Sequence, residues 1–271
     1  MSRILVLLIP LFATLCPAQC LLPKPVADNL AQLPMRQTGF ARYSTEAVTY
    51  LEFHCYEEAR AAIDRGGCKD ETLPQIQWCK GMTAFISARV AWNQGRLADA
   101  KKTLSELNDE AQVQDVNVRA AFALAELLSQ YPDPAYWERL RPTLEFLGAE
   151  RDMWRARHYL YTYGLNQSNA PARIRDLTKL VNSELPIRQH LENLFILGDV
   201  LRRAGRSTEA LLLVTSTEDD MGKYVVDVEL RGAYVGLCAA LWDARARQGD
   251  PEAVRLAGIY AAALKEIYDP R

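Results

Sequence analysis

Histidine is scarce in this chain, with three in 271 residues, and none of His54, His158 and His190 has a partner at metal-ligand spacing. The sequence has no Gly-x-Ser-x-Gly elbow, phosphate-binding glycine loop, dinucleotide fingerprint or His-Glu-x-x-His helix. These absences leave no catalytic residue, metal or cofactor to nominate, and the chain is expected not to be an enzyme. An excess of one charge is missing too. Lys+Arg number 32 against 34 for Asp+Glu, a net −2, which gives no electrostatic reason to expect nucleic acid. Beyond the first twenty residues no apolar run approaches the roughly 20 residues of a membrane span. Strand patterns are nearly absent. Only Tyr224-Val-Val-Asp-Val-Glu-Leu230 alternates, and an isolated strand has no partner, so helix is expected there.

What is present begins with a leader. Arg3, the apolar run from Ile4 to Leu15, and small residues at Cys16 and Ala18 are the three parts of a signal peptide, residues 1–18. The run is too short for a comfortable transmembrane helix, and Pro10 weakens it further. Cleavage after Ala18 leaves a chain of net charge about −3. The expected location is exported, periplasmic or secreted. Cys20 admits a lipid anchor, although Gln19 stands where such signals carry Gly, Ala or Ser. The plainer reading of Cys20 is a spare thiol.

Residues 19–43 carry Pro23, Pro25 and Pro34 among small and polar residues, which predicts an extended, flexible tether. The ordered domain is expected over 44–271, starting at a helix capped by Ser44 and continuing to Arg65. Val48, Leu51, Cys55, Ala59 and Ile63 follow at helical spacing, and Gly66-Gly67 stops the run. Helical patterns then run over 75–94, 97–108, 115–130, 134–147, 150–164, 171–184, 187–204, 207–215, 224–247 and 251–268, with short breaks between them. Short connections make antiparallel neighbours, so the fold class is all-α.

In an exported chain a disulfide is the better reading of Cys55, Cys68 and Cys79 than a zinc set. With a first helix ending near Arg65 and a second beginning near Pro74, Cys55 and Cys79 differ in height by roughly 7 Å. Cys68, in the turn, folds towards Cys79 more easily. Cys68–Cys79 is therefore the expected bridge, with Cys55 and Cys238 buried as small apolar residues. Over 131–163 the aromatic residues Tyr136, Trp137, Trp154 and Tyr159 alternate with Arg139, Arg151 and Arg155. This is either a ligand-facing patch or core packing under arginine stems.

Two stretches read alike: Ala91-Trp-Asn-Gln-Gly-Arg-Leu-Ala-Asp-Ala100 and Leu201-Arg-Arg-Ala-Gly-Arg-Ser-Thr-Glu-Ala210. Each runs a helix into a Gly-Arg turn, then an acid and an alanine open the next helix. Around Gly205, Leu197-Gly198, Leu201 and Ala210 stand at the offsets of the tetratricopeptide repeat. Ala88, Ala91, Ala100 and Leu104 stand at those offsets around Gly95, and Gly249 heads a weaker copy with Trp242 and Ala253. On these residues the chain resembles the tetratricopeptide repeat family. That resemblance implies an α-solenoid of antiparallel helical hairpins sharing a core. An irregular helical bundle is the alternative architecture.

In that family the first helices of successive pairs line a binding groove. The resemblance places Phe85, Arg89 and Asn93 there from one pair, and Phe195, Asp199, Arg202 and Arg203 from another. The lysines and asparagines with which some members clamp a terminal carboxylate are missing at these positions. The implied function is an exported adaptor that binds a protein or peptide partner in an extracytoplasmic complex. The alternatives are a non-catalytic glycan or small-molecule binder, or an accessory domain related to exported cell-wall enzymes.

Overall fold

The computed structural model describes Cys20, Leu22 and residues 24–36, 39–66, 72–110, 114–217, 221 and 227–268. The leader over 1–18, Cys68, and Tyr224 to Val226 lie outside them. The described residues carry thirteen helices and no strand, so the fold is all-α. No described helix is long and apolar enough to cross a membrane. The chain divides into two compact units, one up to Ile76 and one from Gln77.

In the first unit, α1 (Lys24–Arg36), α2 (Gly39–Glu52) and α3 (Tyr56–Gly66) replace much of the expected tether. Pro25 sits at the second position of α1, where its missing N–H costs nothing, and Pro34 falls within the helix near its end. The continuous helix expected from Ser44 is in fact two helices. Ser44 lies inside α2, donating to the Ala41 carbonyl, and the chain breaks at His54, whose φ is +58°. That break turns Cys55 towards Cys20, and the two form a disulfide with Cα atoms 5.3 Å apart. This corrects both readings of Cys20. Its sulfur is neither spare nor open to a lipid thioether, and Cys55, though buried, is a cross-link rather than an apolar filler. Buried Glu46 on α2 joins the two helices further, accepting from Arg42 at 2.9 Å and from Arg65 at 2.7 Å.

The second unit holds the remaining ten helices, taken two by two in chain order. They are α4 (Leu73–Asn93, beginning in the first unit) and α5 (Leu97–Glu110); α6 (Gln114–Gln130) and α7 (Pro134–Ala149); α8 (Trp154–Thr162) and α9 (Ala170–Val181); α10 (Ile187–Arg203) and α11 (Ser207–Thr215); α12 (Val228–Ala246) and α13 (Pro251–Tyr268). The alternating segment that ends at Leu230 enters α12 at Val228, behind an Asp227 cap that accepts from the Leu230 N–H. Helices α5, α7, α9 and α11 each pack on the first helix of the following pair, and α6, α8, α10 and α12 pack on one another in order. This is the packing expected of stacked pairs that share one core.

The two Gly-Arg turns close in the same way. Gly95 and Gly205 have φ of +75° and +80°, which glycine adopts without the steric cost of a Cβ. Arg96 N–H reaches the Ala91 carbonyl at 2.9 Å, as Arg206 N–H reaches Leu201 at 2.9 Å. Gly95 N–H bonds Trp92 and Gly205 N–H bonds Arg202. These are the two hydrogen bonds of the Schellman helix stop. Across each turn the arginine pairs with the acid three residues on, Arg96 with Asp99 and Arg206 with Glu209. Ala88, Ala91, Ala100, Gly198, Leu201 and Ala210 are all buried. At Gly198 the helices approach so closely that an added Cβ would stand 2.9 Å from Leu237 Cδ2. Gly249 also has a positive φ, +93°, and there Asp250 caps the start of α13, accepting from the N–H groups of Glu252 and Ala253.

Candidate functional site

A first helix can present a residue to a groove only if packing leaves it uncovered. That requirement divides the expected groove residues. Phe85 and Phe195 are buried, and Phe195 packs on Tyr234 of α12 with ring centroids 5.8 Å apart, so both belong to the core. Asn93 is exposed at the end of α4. Arg203 is exposed and Arg202 partly so, whereas Arg89 and Asp199 are mostly covered, and each of the four is engaged with a neighbouring side chain.

Those engagements run from one first helix to the next. Arg89 of α4 stacks on Trp92, 4.5 Å from the ring centroid, and donates to Glu126 of α6 at 3.1 Å. Phe122, one turn earlier on α6, lies 6.5 Å from the ring of Tyr159 on α8 and beneath the Arg155 guanidinium. Burial raises the Tyr159 hydroxyl pKa above its ordinary value, and the Glu126 charge adds to this against the opposing pull of Arg155 and Arg89. His158, on the same helix, holds Asp199 of α10 at 2.9 Å. The result is a strip of charged and aromatic groups across four helices.

Asp199 is the most tightly held member. Its side chain is 13% exposed, and both oxygens are occupied. Arg202 donates to Oδ1 at 3.0 and 2.7 Å, and Arg203 donates to Oδ2 at 2.8 Å beside His158. Burial alone would raise this carboxyl, but the His158 hydrogen bond and the nearby cationic groups outweigh it and hold it well below the usual carboxylate range. A His–Asp pair invites comparison with hydrolytic dyads. Among the described residues, however, no serine, threonine or cysteine side chain bonds the His158 ring. The arrangement orients Arg202 and Arg203 around the carboxylate.

A second network occupies the other end of α10. Glu192, nearly fully buried, accepts from Arg157 at 2.9 Å and from Arg188 at 3.1 Å. Burial pushes its carboxyl above the ordinary range despite these two arginines. Asp152, at φ +51°, bridges Arg157 and Gln189. Neither Glu192 nor Asp152 was legible as a site residue in the sequence, because the bonds that join them into one network, Arg157 to Glu192 and Gln189 to Asp152, span 35 and 37 residues.

Of the expected Cys68–Cys79 bridge, Cys79 is disulfide-bonded, whereas Cys68 lies outside the described residues. Cys238 is buried and is not in a disulfide. A Glu58 carboxylate oxygen lies within 4.8 Å of the Cys20 and Cys55 sulfurs, but those are joined to each other and offer no thiolates to a metal. No protein family, curated protein or solved structure matches this chain.

Proposed function

We propose that this chain is an exported, tetratricopeptide-like adaptor that binds a protein or peptide partner along the strip from Arg89 to Arg203. The observation that carries the reading is the continuity of that strip. Successive first helices contribute arginines and aromatic rings already fixed by their neighbours, so a partner meets side chains that lose little freedom on binding. Tyrosine, tryptophan and arginine are also the residue types that dominate binding hot spots. Export is supported by the leader pattern and is compatible with the Cys20–Cys55 disulfide, a cross-link that persists in oxidising compartments.

The test is recovery of the full chain from its native envelope fraction after mild cross-linking. A defined partner should be retained by the wild-type protein and lost on Arg202→Ala/Arg203→Ala substitution. Recovery of the chain alone, or a partner indifferent to both arginines, would reject the adaptor reading along this strip.

A further inference from the structure

The turn between α7 and α8, together with the first turns of α8 and α10, encloses a cleft of about 450 Å³. Phe122, Met153 and Trp154 form its apolar wall, and Arg151, Arg155 and Arg188 supply its cations. Its acids are already occupied. Glu192 holds Arg157 and Arg188, and Asp152 holds Arg157 and Gln189. No carboxylate of the described residues lies at ion-pair distance from Arg151 or Arg155, so two positive charges in the cleft are unneutralised. Arg155 lies over the Phe122 ring, 5.4 Å from its centroid, and also bonds the Tyr159 hydroxyl, so its guanidinium is held in place beside the cleft.

Two further features point the same way. The residue capping α8 is Met153, which offers no side-chain acceptor to the first-turn N–H groups, and α10 starts behind Pro186 with no side-chain cap either. Neither helix has an acid in its first turn, and the one carboxylate near both starts is Asp152, which precedes the α8 cap and is engaged by Arg157 and Gln189. The indole Nε1 of Trp154 is buried without a hydrogen-bond acceptor, an uncommon condition for a buried donor.

We infer that this cleft is a docking site for an acidic peptide segment of the partner, one that sets an aromatic side chain beside carboxylates. The carboxylates lie against Arg151 and Arg155, and the aromatic group lies against Phe122 and Trp154. The inference rests on the adaptor reading and names the chemistry of the partner. A bare anion fits less well, since it would leave the apolar wall uncovered in a cleft large enough for more than one side chain.

The experiment titrates the full oxidised chain by calorimetry with three probes: acetyl-Gly-Glu-Phe-Glu-Gly-amide, its counterpart with both glutamates replaced by glutamine, and inorganic phosphate. The acidic peptide should bind at least about tenfold more tightly than the glutamine peptide. Arg151→Ala/Arg155→Ala should lower its affinity by at least about tenfold, with an unchanged circular dichroism spectrum because both side chains are exposed. Arg141→Ala, on α7 and outside the cleft, should leave binding as it was. Equal binding of the two peptides, no binding of either, or arginine-dependent binding of phosphate alone would each overturn the inference. The adaptor reading fails separately. A partner recovered equally by wild type and the Arg151/Arg155 variant removes the cleft and leaves the adaptor, while a bound acidic peptide with no recoverable partner does the reverse.

Discussion

The turns at Gly95 and Gly205 share the same backbone hydrogen bonds, the same Arg-to-acid pairing and the same buried alanine beyond. Six residues before each glycine, however, the side chains carry opposite charge. At Arg89 a cation reaches forward to Glu126, which is 46% exposed, whereas at Asp199 an anion reaches back to His158 and gathers two arginines. The shared features are those that stop one helix and close it on the next. The differing ones face the neighbouring first helix, Arg89 towards α6 and Asp199 towards α8, and set the sign of the charge each pair carries.

The comparison breaks most visibly at the small residue. Gly198→Leu would drive a side chain into Leu237 and Val214, at a cost of about 3 kcal/mol read as a lower urea midpoint. Its counterpart change, Ala88→Gly, should cost only about 1 kcal/mol. Next comes the charge contrast. Asp199→Ala strands two arginines and a histidine around a buried position and should cost about 2 kcal/mol, whereas Arg89→Ala frees a half-exposed, solvent-screened Glu126 and should cost about 1 kcal/mol or less. If both variants lose equal stability, the asymmetry between the two pairs is not real. The turns themselves should behave alike. Gly95→Ala and Gly205→Ala each place a Cβ on a left-handed backbone and should each cost about 1 kcal/mol, matching within a few tenths.

The smallest effect concerns acid. The Asp199 carboxyl titrates lower in the folded chain than in the unfolded one, so its contribution is present above the ordinary value of 3.8 and is lost as pH falls through the folded value. The stability gap between wild type and Asp199→Asn should therefore be constant above about pH 5 and narrow below about pH 4 in denaturant titrations. A gap that widens on acidification would reverse the assigned sign.

Sequence pattern located the helices of the second unit to within a few residues, because each one starts or stops at a glycine, a proline or an amphipathic change that acts locally. Gly95, Gly205 and Pro251 are the clearest examples. The pattern failed where the deciding contact is distant. Pro25 and Pro34 read as a tether because nothing nearby shows that Cys20 closes on Cys55. Phe195 read as a groove residue because the offset from Gly205 fixes a helical position but not which neighbour covers it, and Tyr234 covers it. The repeat frame singled out Arg89, Asp199, Arg202 and Arg203, whereas the bonds from Arg157 to Glu192 and from Gln189 to Asp152 span 35 and 37 residues, which no local spacing encodes.

The Cys20–Cys55 bridge has a practical consequence. It closes a 35-residue loop around a unit too small to bury much core, and in a chain-entropy treatment such a loop is worth about 4 kcal/mol. Thiol reagents should therefore melt α1 to α3 ahead of the stacked pairs. All five tryptophans, Trp78, Trp92, Trp137, Trp154 and Trp242, belong to the second unit. A preparation judged intact by tryptophan fluorescence could thus have lost its first unit altogether, and far-ultraviolet circular dichroism would register the loss.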